Sequence, residues 1–321
     1  MKAYLGIDVG SVSINIVVLN EAGEVITGLY LRTKGRPIEV IQEGLKQTAE
    51  SIPPDVKIAG VGSTGSGRYL AGIMVGADVI KNEITAHAVA ASMVIPDVQT
   101  VFEIGGQDSK IIIMRHGIVT DFAMNTVCAA GTGSFLDQQA SRLNIPISQF
   151  GELALKSTSQ VRIAGRCTVF AESDMIHKQQ MGHQIPDIIN GLCEALVRNY
   201  LNNVGKGKEI LPPIAFQGGV AANVGIKAAF EKALGFPIII PKYFNVMGAI
   251  GAAQIACEEV SRKGETSFKG FQITNLPYRT GSFECDGCSN VCEVVEIFEG
   301  EKVIGRWGSR CSKWDITGEN K

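Results

Sequence analysis

The chain lacks the features that mark several functional classes. No apolar run approaches the roughly 18 residues that cross a bilayer, and the opening MKAYLGIDVG carries no long apolar segment of a secretory leader. The expectation is a cytoplasmic protein with no membrane partner. Charge of one sign is nowhere concentrated: 30 basic residues face 32 acids, for a formal net charge of −2. That leaves no electrostatic footprint for nucleic acid. Charge is scarce altogether, at 19% of residues against a usual quarter or so. The four histidines, at 87, 116, 177 and 183, show no ligand spacing. Glycine and cysteine are plentiful instead, with 37 and 8 residues in a chain of 321. That length has room for about two domains. In a reducing compartment, closely spaced cysteines read as metal ligands rather than disulfides.

Hydrophobic periodicity gives an α/β pattern that is played twice. Strands over 2–8, 13–20 and 25–31 form an antiparallel meander, followed by a helix opening at Pro37, a strand over 58–61, a strand around 79–80 and a helix over 83–94. The order β-β-β-α-β-α-β-α then recurs. Strands over 100–104, 111–114 and 118–124 lead to a helix carrying Ile185, Ile188, Ile189, Leu192 and Leu196. A strand over 214–217, a helix over 223–234, a strand over 237–240 and a helix over 246–260 follow. This reads as an internal duplication of about a hundred residues. It gives two similar lobes, 1–95 joined by a helix over 245–262, and 96–244. An insertion over 125–184 breaks the symmetry, and a tail over 264–321 stands apart by its four close cysteines.

Each half offers a glycine turn after its first strand. In the first, Asp8 precedes Gly10, Ser11 and Ser13; in the second, Glu103 precedes Gly105, Gly106, Gln107, Asp108 and Lys110. Glycine lets backbone N–H groups approach phosphate oxygens, and Asp8 is placed to hold magnesium through water. Gly218-Gly219, between a strand and a helix, is a third glycine turn, where a nucleoside can lie close to the backbone, with Asn223 placed to cap the helix. Any one of these strings reads equally as an ordinary turn. Three in register with a duplication define a cleft that grips a polyphosphate from both sides. Lys110 reads either as a phosphate contact or as an exposed strand lysine.

These turns resemble those of the actin, Hsp70 and sugar-kinase ATPase superfamily. Within it, the run Asn125-Thr126-Val127-Cys128-Ala129-Ala130-Gly131-Thr132-Gly133-Ser134-Phe135-Leu136-Asp137 narrows the resemblance, with Ile104–Lys110 before it and Cys167-Thr168-Val169-Phe170-Ala171-Glu172-Ser173 after it. Together they look like the activator component of 2-hydroxyacyl-CoA dehydratases. That family includes the ATPase subunits of benzoyl-CoA reductase and the reductases of double-cubane cluster proteins. The likeness covers about residues 1–260.

The resemblance implies a duplicated RNase H-like, two-lobed ATPase fold that binds ATP or ADP with Mg2+. Nucleotide contacts fall to Gly10, Ser11, Ser13, Gly105, Gly106, Lys110, Gly131, Thr132, Gly133, Gly218, Gly219 and Asn223. Asp8, Asp108 and Gln107 are the preferred catalytic residues, because Glu103 stands where such turns more often carry aspartate. A 4Fe-4S cluster takes about four thiolates, and the family shares one between the subunits of a homodimer, with Cys128 and Cys167 from each copy. A helix opening at the capping-box pattern Ser134-x-x-Asp137 would aim its positive end at the cluster. ATP binding between the lobes would then drive low-potential electrons from a ferredoxin or flavodoxin to a separate iron–sulfur enzyme.

The tail is separate from that family pattern. Cys285, Cys288, Cys292 and Cys311, with strands over 293–298 and 302–307 between the last two, form a candidate four-thiolate site for zinc or a second iron–sulfur cluster. A purely structural role is the alternative. Cys193 and Cys257 lie in apolar helices and read as packing. Two other functional classes stay open, a small-molecule kinase on the same fold and a non-enzymatic nucleotide-dependent binding module. The cysteines of the insertion argue against both.

Overall fold

The computed structural model describes residues 1–125 and 127–317; Thr126 of the cysteine motif and residues 318–321 lie outside it. The first half comprises β1 (Lys2–Val9), β2 (Ser13–Asn20), β3 (Val25–Arg32), α1 (Pro37–Ser51), β4 (Lys57–Thr64), α2 (Arg68–Val75), β5 (Val79–Ile80) and α3 (Glu83–Val94). The second comprises β6 (Thr100–Ile104), β7 (Ser109–Arg115), β8 (Ile118–Asn125), α4 (Gly133–Arg142), α5 (Ile147–Ala154), α6 (Thr168–Gln180), α7 (Ile185–Asn203), β9 (Ile214–Gln217), α8 (Val224–Leu234) and β10 (Ile238–Ile239). Helix α9 (Met247–Lys263) and strands β11 (Tyr278–Glu284), β12 (Glu293–Glu299) and β13 (Lys302–Trp307) complete the chain. Two compact units result, Met1–Ala90 with Gly248–Lys321, and Ala91–Met247.

The first unit holds a five-stranded sheet in the order β3-β2-β1-β4-β5 and the second one in the order β8-β7-β6-β9-β10. Position for position these are the same topology, so the repeat read from periodicity is a repeat of structure. In each, an antiparallel meander lies on one side and two parallel strands on the other. Strand β1 is buried along seven consecutive residues because both of its faces are covered, whereas β3, at the sheet edge, alternates between half-buried and exposed residues. Helix α1 starts where proline is tolerated, at its first turn, and buries Val40, Ile41 and Leu45 along one stripe.

The second unit is organised by Phe102, Tyr200, Phe216 and Phe230, whose ring centroids lie 4.9–5.4 Å apart. Each such side chain contributes about 1.5–3 kcal/mol on burial. The insertion packs into this core through Phe135, Leu136, Phe150, Val161 and Ile163. Its extended stretch before α6 runs along α7, where glycine at 191 leaves room for the Val161 carbonyl.

The described part of the tail packs into the core of the first unit. Ile273 and Ile297 are buried in the same cluster as β1, β2 and α2, and Trp307 stacks on Tyr69 with centroids 6.4 Å apart. Asp78 fastens its start, accepting from Val61 N, Thr266 Oγ1 and Ser267 N at 2.8, 2.7 and 2.6 Å. Strand β11 joins the two expected strands in an antiparallel sheet.

Candidate functional site

In the first unit, Gly10 N donates to Ser13 O at 2.9 Å and closes the turn between β1 and β2, with Ser11 exposed at its tip. Asp8, Asn15 and Thr64 are register partners on β1, β2 and β4, so their side chains stand in a row on one face. Asp8 is buried, and Asn15 Oδ1 and Thr64 Oγ1 are buried oxygens without a hydrogen-bond partner. Orphaned oxygens on either side of a carboxylate suit a hard cation or its water shell.

The second unit repeats this arrangement with different chemistry. Gly105 N donates to Asp108 O at 3.0 Å in the matching turn, with Gln107 exposed. Glu103, Lys110 and Gln217 are the register partners here, and the interval from Asp8 to Asn15 equals that from Glu103 to Lys110. Lys110 Nζ lies 2.9 Å from Glu103 Oε2 and 3.0 Å from Asp108 Oδ1. Burial raises the Glu103 carboxyl above its ordinary range while adjacent Lys110 pulls it down. Tyr200 OH donates to the Lys110 carbonyl at 2.7 Å. Lys110 is thus neither an exposed strand lysine nor aimed at solvent; it is buried between two carboxylates.

The glycine after each triad is also shared: Gly65 follows Thr64, Gly218 follows Gln217, and both have φ of +88°. Gly218 N donates to Phe244 O at 2.8 Å, and Gly219 is exposed at the start of a single helical turn. Asn223 caps α8, its Oδ1 accepting from Ile226 N at 3.1 Å, and its buried Nδ2 has no partner.

The turns that carry the two cysteines of the insertion meet. Cys128 Sγ lies 3.8 Å from the Arg166 carbonyl, next to Cys167, and both cysteines are half-buried. Two asparagines, Asn125 at the start of the cysteine run and Asn199 on α7, hold them. Asn125 Nδ2 donates to Cys128 O at 2.8 Å and its Oδ1 accepts from Cys128 N at 3.0 Å. Buried Asn199 donates to Gly165 O at 2.6 Å, two residues before Cys167, and its Oδ1 fills the space a Cβ on Gly131 would need. Around the pair, Val127, Val169 and Phe170 are 96%, 67% and 66% exposed.

The helix start after Cys128 differs from the capping-box expectation. Thr132 is the N-cap, its hydroxyl donating back to Ala129 O at 2.8 Å, and Ser134 lies inside the helix. Gly133 N donates to Gly105 O at 2.9 Å, Ser134 N to Gly106 O at 2.8 Å, and Ser134 Oγ also to Gly106 O. The first amides of α4 are therefore held by the second glycine turn. Helix α6 starts on a cysteine, with Cys167 at its N-cap, and Cys128 caps the single turn Ala129–Gly131.

The tail quartet differs too. Among the described residues, no three His, Cys, Asp or Glu side chains are gathered as a metal ion needs. The sulfur of Cys285 faces inward, whereas Cys288 and Cys311 are exposed. Cys193 is packing: burial pushes its thiol up to about 12.

Residues 5–256 match the model of the BadF/BadG/BcrA/BcrD ATPase family. The chain belongs to that family. This ATPase is 37% identical over 273 residues to the (R)-2-hydroxyglutaryl-CoA dehydratase activating ATPase of Acidaminococcus fermentans, covering 82% of this chain and all of that one. It is 30% identical over 270 residues to the activator of lactoyl-CoA dehydratase of Anaerotignum propionicum, covering 81% and 99%. Among solved structures, the activator of the 2-hydroxyisocaproyl-CoA dehydratase from Clostridium difficile with bound ADPNP superposes with a TM-score of 0.73 at 30% identity, over 82% of this chain and 97% of that one. The duplicated ATPase fold expected from the glycine turns is therefore the fold of this ATPase. Its tail lies beyond the family match. Among the described residues, no helix is long and apolar enough to cross a membrane.

Proposed function

We propose that this ATPase is an activator that couples ATP hydrolysis to single-electron reduction of a partner iron–sulfur enzyme. It works as a cytoplasmic homodimer that takes low-potential electrons from a ferredoxin or flavodoxin. The approach of Cys128 Sγ to the backbone just before Cys167, with exposed Val127, Val169 and Phe170 beside the two cysteines in sequence, carries this reading. Two thiols fall short of the roughly four that a 4Fe-4S cluster takes, and Val127, Val169 and Phe170 give a second copy an apolar surface against which to bring two more. When bound, such a cluster supplies a one-electron couple.

The chain's own residues supply the rest. In the first unit the amides of the Gly10–Ser13 turn, and in the second those of the Gly105–Asp108 turn and of Gly218-Gly219, would contact nucleotide, with Gly131, Thr132 and Gly133 supporting the second unit's turn. Asp8, flanked by Asn15 and Thr64, would hold Mg2+; Asp108 and Gln107 would orient the attacking water. Because the Gly105 and Gly106 carbonyls hold the first amides of α4, a shift of that turn on phosphate binding moves α4 and, through the preceding turn, Cys128.

Anaerobically purified protein is expected to hold about four irons per dimer. The Cys128→Ala variant should lose them while still binding ADP. Iron retained in that variant overturns the reading.

A further inference from the structure

The tail carries a second pair of thiols, outside the family match and independent of Cys128 and Cys167. Strands β11 and β12 pair in antiparallel register up to Glu284 opposite Glu293. One step beyond, Cys285 stands directly opposite Cys292, and Cys285 N donates to Cys292 O at 2.8 Å. Directly opposed residues of an antiparallel pair have Cα atoms about 4.5–5.5 Å apart and side chains on the same face. A disulfide spans Cα separations of about 4.4–6.8 Å.

The surroundings of the two sulfurs differ in a way that assigns them roles. Cys285 is buried, and its Sγ accepts from Trp314 Nε1 at 3.3 Å and from Gly287 N at 3.5 Å. Trp314 is fixed edge-on to Phe283, with centroids 5.2 Å apart. Two N–H groups, of Trp314 and Gly287, therefore point at the Cys285 sulfur and suit it as a thiolate. Cys292 is half-buried, and Cys288 and Cys311 are exposed without a comparable setting.

We propose that Cys285 and Cys292 are a dithiol–disulfide couple that exchanges two electrons with small-molecule disulfides. Cys292 gives its proton to solvent and attacks one sulfur of the external disulfide, breaking that S–S bond and releasing one thiolate. The Cys285 thiolate then attacks Cys292 Sγ, forming the Cys285–Cys292 bond and expelling the second thiolate. The pair loses two electrons, and the external disulfide, with two protons, becomes two thiols.

The test uses full-length protein in anaerobic buffers of graded oxidised to reduced glutathione, followed by alkylation and mass spectrometry after cleavage at Asp286, which separates the two cysteines. The expected product is a Cys285–Cys292 link with the loss of two hydrogens, while Cys288 and Cys311 remain alkylated. Cys288→Ser and Cys311→Ser should leave the half-oxidation ratio unchanged. Cys285→Ser should stop at glutathione on Cys292. Trp314 emission should follow the oxidation, and Trp314→Phe should remove that signal. A link from Cys285 to Cys288 or Cys311, or both thiols alkylated at every ratio, overturns the proposal. So does zinc or iron that copurifies and is lost equally from all four single Cys→Ser variants.

Discussion

Gly218→Ala places a methyl group where the backbone and its neighbours leave none. With φ of +88° and ψ of 169°, Gly218 sits in a region essentially reserved for glycine, which costs another residue about 1–3 kcal/mol. The added Cβ would stand 2.5 Å from Ile104 O and 2.6 Å from Glu103 Oε1. Neither can retreat: Ile104 ends the central strand of its sheet, and Glu103 is ion-paired to buried Lys110. Overpacking of this kind adds about 1–3 kcal/mol. The total, roughly 2–6 kcal/mol, is a large part of a typical stability of about 5–15 kcal/mol. Gly117→Ala is the control, because Gly117 has φ of +76° but nothing within 4 Å of the added atom; it should cost about 1–2 kcal/mol from the left-handed backbone alone. Urea unfolding of both variants decides the matter. If Gly218→Ala costs no more than Gly117→Ala, the steric argument is wrong. Gly65→Ala, with its Cβ 2.5 Å from Asp8 Oδ1, should behave like Gly218→Ala.

Other expectations concern buried polar groups. Lys110→Met strands the Glu103 carboxylate and should cost about 3–5 kcal/mol, whereas the double variant Glu103→Gln, Lys110→Met should recover much of it; equal loss in both, by thermal unfolding, would contradict the pairing. Asn199→Ala removes the bond to Gly165 O and should destabilise by about 1–3 kcal/mol while quickening alkylation of both Cys128 and Cys167. Unchanged alkylation would mean that Asn199 does not set the cysteine turns. Asp187 accepts from Ser159 N, Ser157 Oγ and Thr158 N at 2.9, 2.8 and 2.8 Å, and these donors lower its carboxyl below the usual range. Its stabilisation is complete above the unfolded aspartate value of about 3.9 and is lost as pH falls through the lower folded value. The Tm gap between wild type and Asp187→Asn should therefore be wide at neutral pH and close in strong acid.

The duplicated sheets were legible because their strands carry long apolar runs bounded by glycine turns; the strand over 214–217 and the edges at Lys2, Ser13 and Thr100 coincide with the structure. Strand β11 was missed, since Thr280-Gly281-Ser282 lacks both apolar alternation and β-branched density. Ser134 followed by Asp137 spells a local capping signal, but the Ser134 hydroxyl is claimed by Gly106, 28 residues away, which no local pattern reveals. Asn199 escaped for the same reason: its partner is a backbone atom of a turn brought near only by the fold. Asn125 bonds Cys128 only three residues on, a local Asx-type turn that the cysteine run itself could have suggested. The roles of Asn15 and Thr64 were open to inference from the repeat itself, by laying Asp8 on Glu103 and reading along. The four tail cysteines illustrate the reverse case. Their spacing suggested one site, and the inward turn of Cys285 toward Trp314 separates it from the exposed pair.

After duplication, the two acid stations took different routes to electrical balance. The second carries its counter-ion as a covalent part of the chain, Lys110 on the neighbouring strand. A tethered cation is indifferent to chelators and to the magnesium content of the buffer, and it leaves when the sheet unfolds and not before. Whatever magnesium dependence the protein shows in solution should therefore arise from the Asp8 half alone, and Glu103→Gln should leave that dependence where it was.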